Sequence, residues 1–288
     1  MMRSPIGLVF ALAIAASALH AVGLLIMKIR AGALPLAWGA GMFRAVVAWG
    51  RDPGWIGGLG LQFAGYLLYF FALAGAPVSL VAVAMQGGVG LFFLFAIVFL
   101  GERASGAEWA GIASVALAMA MLAGSVRGSE AEQIGSPRGL VAISFVLVSA
   151  AALLGARLGH RGYGAAMVAG VAFGLAALYS KALTQVFLAE RDLTVAGRLA
   201  CDPYLYLVGV ANAVGLISLQ NGFRRARGII VMPLSSALSS LVPIVGGILA
   251  FGERIPADPF AAALRVGAFA LTIAASALLA LGEKLNPA

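Results

Sequence analysis

The sequence predicts an all-α integral membrane protein with nine or ten transmembrane helices in two inverted repeats. Three observations predict it. Of the 288 residues, 62% are Ala, Val, Ile, Leu, Met, Phe, Trp, Tyr or Cys and only 10% are charged, with a mean hydropathy of +1.02. A soluble domain carries roughly a quarter of its residues as charges. The charges also cluster between apolar runs of spanning length, and two blocks of the chain share one pattern of landmarks. Together these exclude a soluble enzyme, a disordered chain and a nucleic-acid binder. The single Cys201 excludes an internal disulfide framework and a cysteine metal cluster.

The first apolar run, 5–27, follows Met1-Met2-Arg3 and exceeds the core of a cleavable signal, so it reads as a mature helix. Residues 54–101 carry no charge and are too long for one span. Gly75-Ala76-Pro77 divides them into 54–75 and 77–100. Further spans follow at 107–125, 139–158, 163–184, 203–222, 228–251 and 258–282. The polar linker 126–138 separates two halves. The predicted units are a first repeat over 1–125, a linker with one inverting helix over 126–162, and a second repeat over 163–288.

Residues 31–50 are apolar but hold Pro35 and Arg44. An arginine at mid-membrane costs about 2.5–3.5 kcal/mol on insertion scales, so this stretch lies at the interface or spans with Arg44 paired. Under nine spans, one face collects 11 Lys and Arg and the other 6. Ten spans give a more even split. The positive-inside rule therefore favours nine, with the N-terminus outside. The net charge of +8 is a topology signal in this setting.

Asp52-Pro53 and Asp202-Pro203 open two equivalent blocks, and Gly101-Glu102-Arg103 and Gly252-Glu253-Arg254 close them. Lys28 and Lys181 precede them at similar intervals. Each unit holds four helices, so the single helix at 139–158 inverts the second unit. Inverted repeats let a site between two halves open to either face.

These corners, with Trp109-Ala110-Gly111 and Ala76-Pro77-Val78-Ser79-Leu80-Val81, resemble the EamA-like repeats of the drug/metabolite transporter superfamily. Met42-Phe43-Arg44 resembles the arginine-bearing second helix of such repeats. The additional helix and the shape of 20–103 resemble the branch of NIPA-like magnesium transporters. The resemblance covers most of 15–282 and implies a polytopic carrier with a central cavity. The four-helix multidrug exporters of that superfamily carry a glutamate within the first helix, and this chain has none there.

All 11 carboxylates fall at helix ends or in loops. His20 is the imidazole at mid-depth, read either as a proton or substrate site or as a neutral hydrogen-bonding group. Gln62 and Tyr66, four apart, share a helix face. Gln86 precedes Gly87-Gly88-Val89-Gly90, where a weakened helix exposes carbonyls or glycines pack closely. Asn212 lies inside its span. Ser235, Ser236, Ser239 and Ser240 stand between Pro233 and Pro243, as cavity lining or small-residue packing. Lys181 reads as a snorkelling side chain or an attractor of an anionic substrate, and Arg265 as the partner of a corner carboxylate such as Glu253. Glu102 and Glu253 read as caps on the following helix. Gly170 and Gly174 read as helix packing.

The expected substrate-binding residues are His20, Gln62, Tyr66, Gln86, Lys181, Asn212, Ser236 and Ser239. No catalytic residue, metal site or cofactor is expected. The expected function is a secondary transporter of a small organic solute by alternating access, and the alternative is a Mg²⁺ or other divalent cation transporter. Its partners are the solute and the bilayer, with proton coupling resting on His20. No nucleic acid is expected and no second copy is required. Composition suggests a bacterial inner membrane.

Overall fold

A computed structural model describes residues 6–35, 41–85, 87–100, 105–125, 137–158, 162–189, 195–226 and 228–281. The corner 101–104, most of the 126–138 linker, His160 and Gln86 lie outside the described residues. Within them the chain forms twelve helices: α1 (Ile6–Ala31), α2 (Met42–Trp49), α3 (Pro53–Gly75), α4 (Val78–Met85), α5 (Gly87–Leu100), α6 (Gly106–Ser125), α7 (Pro137–Leu158), α8 (Gly162–Ala189), α9 (Val195–Cys201), α10 (Pro203–Arg225), α11 (Gly228–Phe251) and α12 (Pro259–Leu281). Helices are what the bilayer demands, because every backbone N–H and C=O must be satisfied within the segment.

Seven helices among the described residues are long and apolar enough to cross a membrane, and shorter apolar stretches lie at Trp109–Leu122 and Pro259–Ala275. α4 and α5 lie end to end about residue 86 and together form one of the seven. These nine segments are those read from the sequence. The described part of 31–50 contains only the eight-residue α2, about 12 Å long, which is too short to span. Trp49 Nε1 donates to the Pro35 carbonyl at 2.9 Å, and the Trp49 ring sits 5.6 Å from Trp55. Arg224 donates to the carbonyls of Gly32 and Leu34. The described parts of the segment thus rest against the ends of α1, α3 and α10.

The two blocks share their local chemistry. Asp52 caps α3 by accepting from the Trp55 N–H at 2.8 Å, and Asp202 caps α10 by accepting from the Tyr204 N–H at 2.8 Å. Each cap is followed by proline at the first helical position, where its fixed φ and missing N–H cost nothing. Both helices run 23 residues and stop at an extended alanine, Ala76 (φ −150°) and Ala226 (φ −146°). Short helices α2 and α9 precede the two caps.

Contacts between helix ends fix the directions. Arg30, at the end of α1, pairs with Asp52 at the start of α3, while Val9 packs on Gly75 at the end of α3. Gly162, opening α8, packs on Ala226 at the end of α10. Lys28, near the end of α1, donates to the Phe223 carbonyl near the end of α10 at 3.3 Å. So the end of α1 and the start of α8 lie on one side, and these equivalent helices run in opposite directions.

α1 packs along α3 as α8 packs along α10, and α6 packs along α12. The α1–α3 crossing is close: a Cβ on Gly23 would stand 2.7 Å from the Gly58 carbonyl oxygen. Gly170 and Gly174 similarly face Ser235 and Val242, seating α8 on α11. Within their apolar windows α8 is 83% buried and α7 only 6%. α8 is therefore the central helix, and α7 leaves most of its surface to lipid.

Candidate functional site

α1, α3, α4 and α5 on one side and α8, α10 and α11 on the other enclose a cavity of about 520 Å³. That volume falls within the usual range for small-molecule sites. Its wall is largely apolar, with Leu24, Leu59, Met85, Val208 and Leu216 beside the rings of Phe63, Tyr66, Tyr69 and Phe173. The polar lining comes from Ser17, His20, Gln62, Asn212 and the four α11 serines. Among the described residues no Asp, Glu, Lys or Arg lines it.

The wall repeats across the two halves. Gln62 and Asn212 stand 150 positions apart, as the two Asp-Pro caps do, and both reach the cavity. A Cβ on Gly65 would stand 2.5 Å from His20 Nδ1, and one on Gly215 would stand 2.7 Å from the Phe173 ring. Gly65 and Gly215 are likewise 150 apart. Each therefore provides a flat bed for one ring from the neighbouring helix. The ring is imidazole in the first half and phenyl in the second.

His20 Nδ1 lies 2.8 Å from the Ala16 carbonyl, so Nδ1 carries the hydrogen. Gln62 Nε2 donates to the His20 carbonyl at 3.4 Å, and Asn212 Nδ2 to the Val208 carbonyl at 2.9 Å. Ser17 Oγ donates to the Ile14 carbonyl at 2.8 Å, and Ser239 Oγ to the Ser236 carbonyl at 3.0 Å. Tyr66 hydrogen-bonds Ser180 across α3 and α8, and Ser180 donates on to the Ala176 carbonyl at 2.6 Å.

Of the expected residues, His20, Gln62, Tyr66, Asn212, Ser236 and Ser239 all meet in this cavity. Gln86 lies outside the described residues. Lys181 requires a correction, because it is not part of the lining. Its Nζ donates to the Leu73 and Ala76 carbonyls at 2.9 and 3.0 Å, beyond the Tyr69 end of the cavity. An ammonium bonded to two carbonyls at a helix C-terminus is occupied by the protein itself. Arg265 also departs from expectation: it donates to Ser125 rather than pairing with Glu253.

Glu253 accepts from the Val78 N–H at 2.6 Å and the Ser79 N–H at 3.3 Å. It therefore caps α4, in the other half, and not the helix that follows it. Asp258 caps that one through the Ala261 N–H. Burial raises the Glu253 carboxyl above its ordinary range, against the opposing pull of the Ser79 and Val78 hydrogen bonds and the Lys181 charge. Sequence reasoning missed Ser17, Tyr69 and Phe173. The first two carry a legible signal, each standing three positions from a named candidate on the same helix face.

No family model matches the chain, and no solved structure matches it. The chain is similar to the probable magnesium transporter NIPA9 of Arabidopsis thaliana. The two are 26% identical over 230 residues, which is 74% of this chain and 64% of that relative. The chain thus spans less than two thirds of the relative's length. The match agrees with the resemblance of the Gly-Glu-Arg corners to the EamA-like repeats of the drug/metabolite transporter superfamily. With the apolar helices, it identifies the architecture. This is an all-α, multi-pass integral membrane protein.

Proposed function

We propose that the protein is a secondary carrier that moves a small organic solute by alternating access. The division into 1–125, 126–162 and 163–288 supplies its two moving halves and the inverting helix between them. The observation that carries this reading is the cavity between oppositely directed α1 and α8, of solute size and lined by neutral polar and aromatic side chains from equivalent helices. His20, Gln62, Tyr66, Asn212, Ser236 and Ser239 contact the solute. A proton drive would act at His20.

The test is uptake of pooled metabolites into proteoliposomes, read by mass spectrometry, with Gln62→Ala and Asn212→Ala as controls. Selective accumulation that these substitutions abolish supports the reading. A pool left unchanged by folded, reconstituted protein removes it.

The similarity to a probable magnesium transporter favours a second reading, a divalent cation carrier. Mg²⁺ is usually held through one or two carboxylates and its own waters, and none lines the described wall. Mg²⁺ entry into vesicles loaded with a magnesium dye separates the two readings.

A further inference from the structure

The cavity's hydrogen-bonding inventory is lopsided. Five lining side chains, Ser17, His20, Gln62, Asn212 and Ser239, each direct a donor to a backbone carbonyl. A carbonyl oxygen only accepts, so the hydrogen-bond network assigns the amide nitrogens of Gln62 and Asn212 to these carbonyls. What remains for a ligand is mainly acceptor capacity: Nε2 of neutral His20, the side-chain oxygens of Gln62 and Asn212, and the lone pairs of the serines. Each carboxamide keeps one further N–H, and the Tyr69 and Ser235 hydroxyls can serve either way, so acceptors are in surplus among the described lining residues.

Aromatic rings add to this. Phe63, Tyr66, Tyr69 and Phe173 line the same space, and the faces of such rings attract cations once water is excluded.

We infer that the site selects a solute bearing a hydrogen-bond-donating cationic head, an organic primary or secondary ammonium, with an apolar remainder against the rings. The inference rests on the carrier reading and specifies its substrate class. The two or three ammonium hydrogens meet acceptors drawn from His20 Nε2, Gln62 Oε1 and Asn212 Oδ1, and no lining anion is needed because neutral dipoles and ring faces share the charge. A carboxylate would find few donors, the spare carboxamide N–H groups and the Tyr69 and Ser235 hydroxyls, among a surplus of acceptors. A quaternary ammonium would keep the charge but offer no donor.

The experiment is binding to purified full-length protein in nanodiscs by calorimetry. The probes are phenethylammonium, its N,N,N-trimethyl analogue, 3-phenylpropionate and Mg²⁺. The expected result is binding of phenethylammonium about tenfold or more tighter than either organic analogue. His20→Phe, which copies the Phe173 arrangement, and Gln62→Leu should each weaken it about tenfold, with unfolding temperature and elution profile unchanged. Equal or tighter binding of the carboxylate or trimethyl probe overturns the inference. So do binding of Mg²⁺ alone, no binding of any probe, or indifference to both substitutions. Binding is read without transport, so the two readings fail separately. A protein that binds ammonium but moves nothing loses only the carrier reading, and one that carries an anion loses only this one.

Discussion

Lys181 donates to the Leu73 carbonyl, and Lys28 donates to that of Phe223, a residue 150 positions further on than Leu73. In each case a lysine near the end of the first helix of one half caps the long helix of the other half. The two contacts lie on opposite sides of the cavity, one beyond Tyr69 and one beyond Leu219. The Lys28 ammonium also stands 5.5 Å from the Phe223 ring centroid. At the other end Glu253 adds a second clasp, gripping the start of α4 just past the Ala76-Pro77 break. In the proposed carrier reading, contacts of this kind hold one end of the cavity shut and part when that end opens.

Lys181→Met removes a buried cation from two carbonyls and from Glu253. Breaking a buried charged contact costs about 3 kcal/mol. Thermal unfolding in detergent should show that loss, and Lys181→Met combined with Glu253→Gln should cost less than the two singly added. Strict additivity would mean that the two groups do not act together.

The ring beds make a paired prediction. Gly65→Ala drives a methyl into the His20 ring and to within 3.0 Å of the Ala16 carbonyl oxygen, at about 1–3 kcal/mol. His20→Ala in the same chain should return part of that loss. Gly215→Ala should behave alike, with Phe173→Ala as its rescue. A double-mutant cycle at each site checks both, and coupling near zero would refute the packing.

The Glu253 carboxyl has a raised pKa in the folded protein because burial outweighs its hydrogen bonds. The folded state therefore holds this proton more tightly than the unfolded chain does. Stability contributed here is present below the ordinary value of 4.5 and is lost as pH rises to the folded value. Glu253→Gln should flatten that part of the stability–pH curve, measured as unfolding temperature against pH. An unchanged slope would place the titration elsewhere.

Much of the fold was legible because the bilayer imposes length and hydropathy on each span, and because the Asp-Pro caps and Gly-Glu-Arg corners punctuate the spans. Residues 31–50 were ambiguous because Pro35 and Arg44 oppose an otherwise apolar run. The Trp49–Pro35 and Arg224–Leu34 contacts made by its described part join residues far apart in sequence or hidden within the loop. The same limit explains Lys181 and Glu253. Spacing placed each at a helix end, but their partners lie 105–108 and 174–175 positions away. The cavity candidates fared better, since helical periodicity puts Gln62 with Tyr66 and groups the serines. Which of their donors the backbone consumes is a matter of rotamer and neighbour, which composition does not encode.

The most direct test of the two-sided account is cysteine reactivity at the two break points. Ala76→Cys and Ala226→Cys would each be placed in a Cys201→Ser background and labelled with a maleimide in nanodiscs, with Lys28→Met or Lys181→Met added. The account predicts reciprocity: Lys181→Met speeds labelling at 76 and slows it at 226, and Lys28→Met does the reverse. If each lysine substitution speeds labelling at its own end and leaves the other untouched, the contacts are local struts and alternating access through this cavity is contradicted.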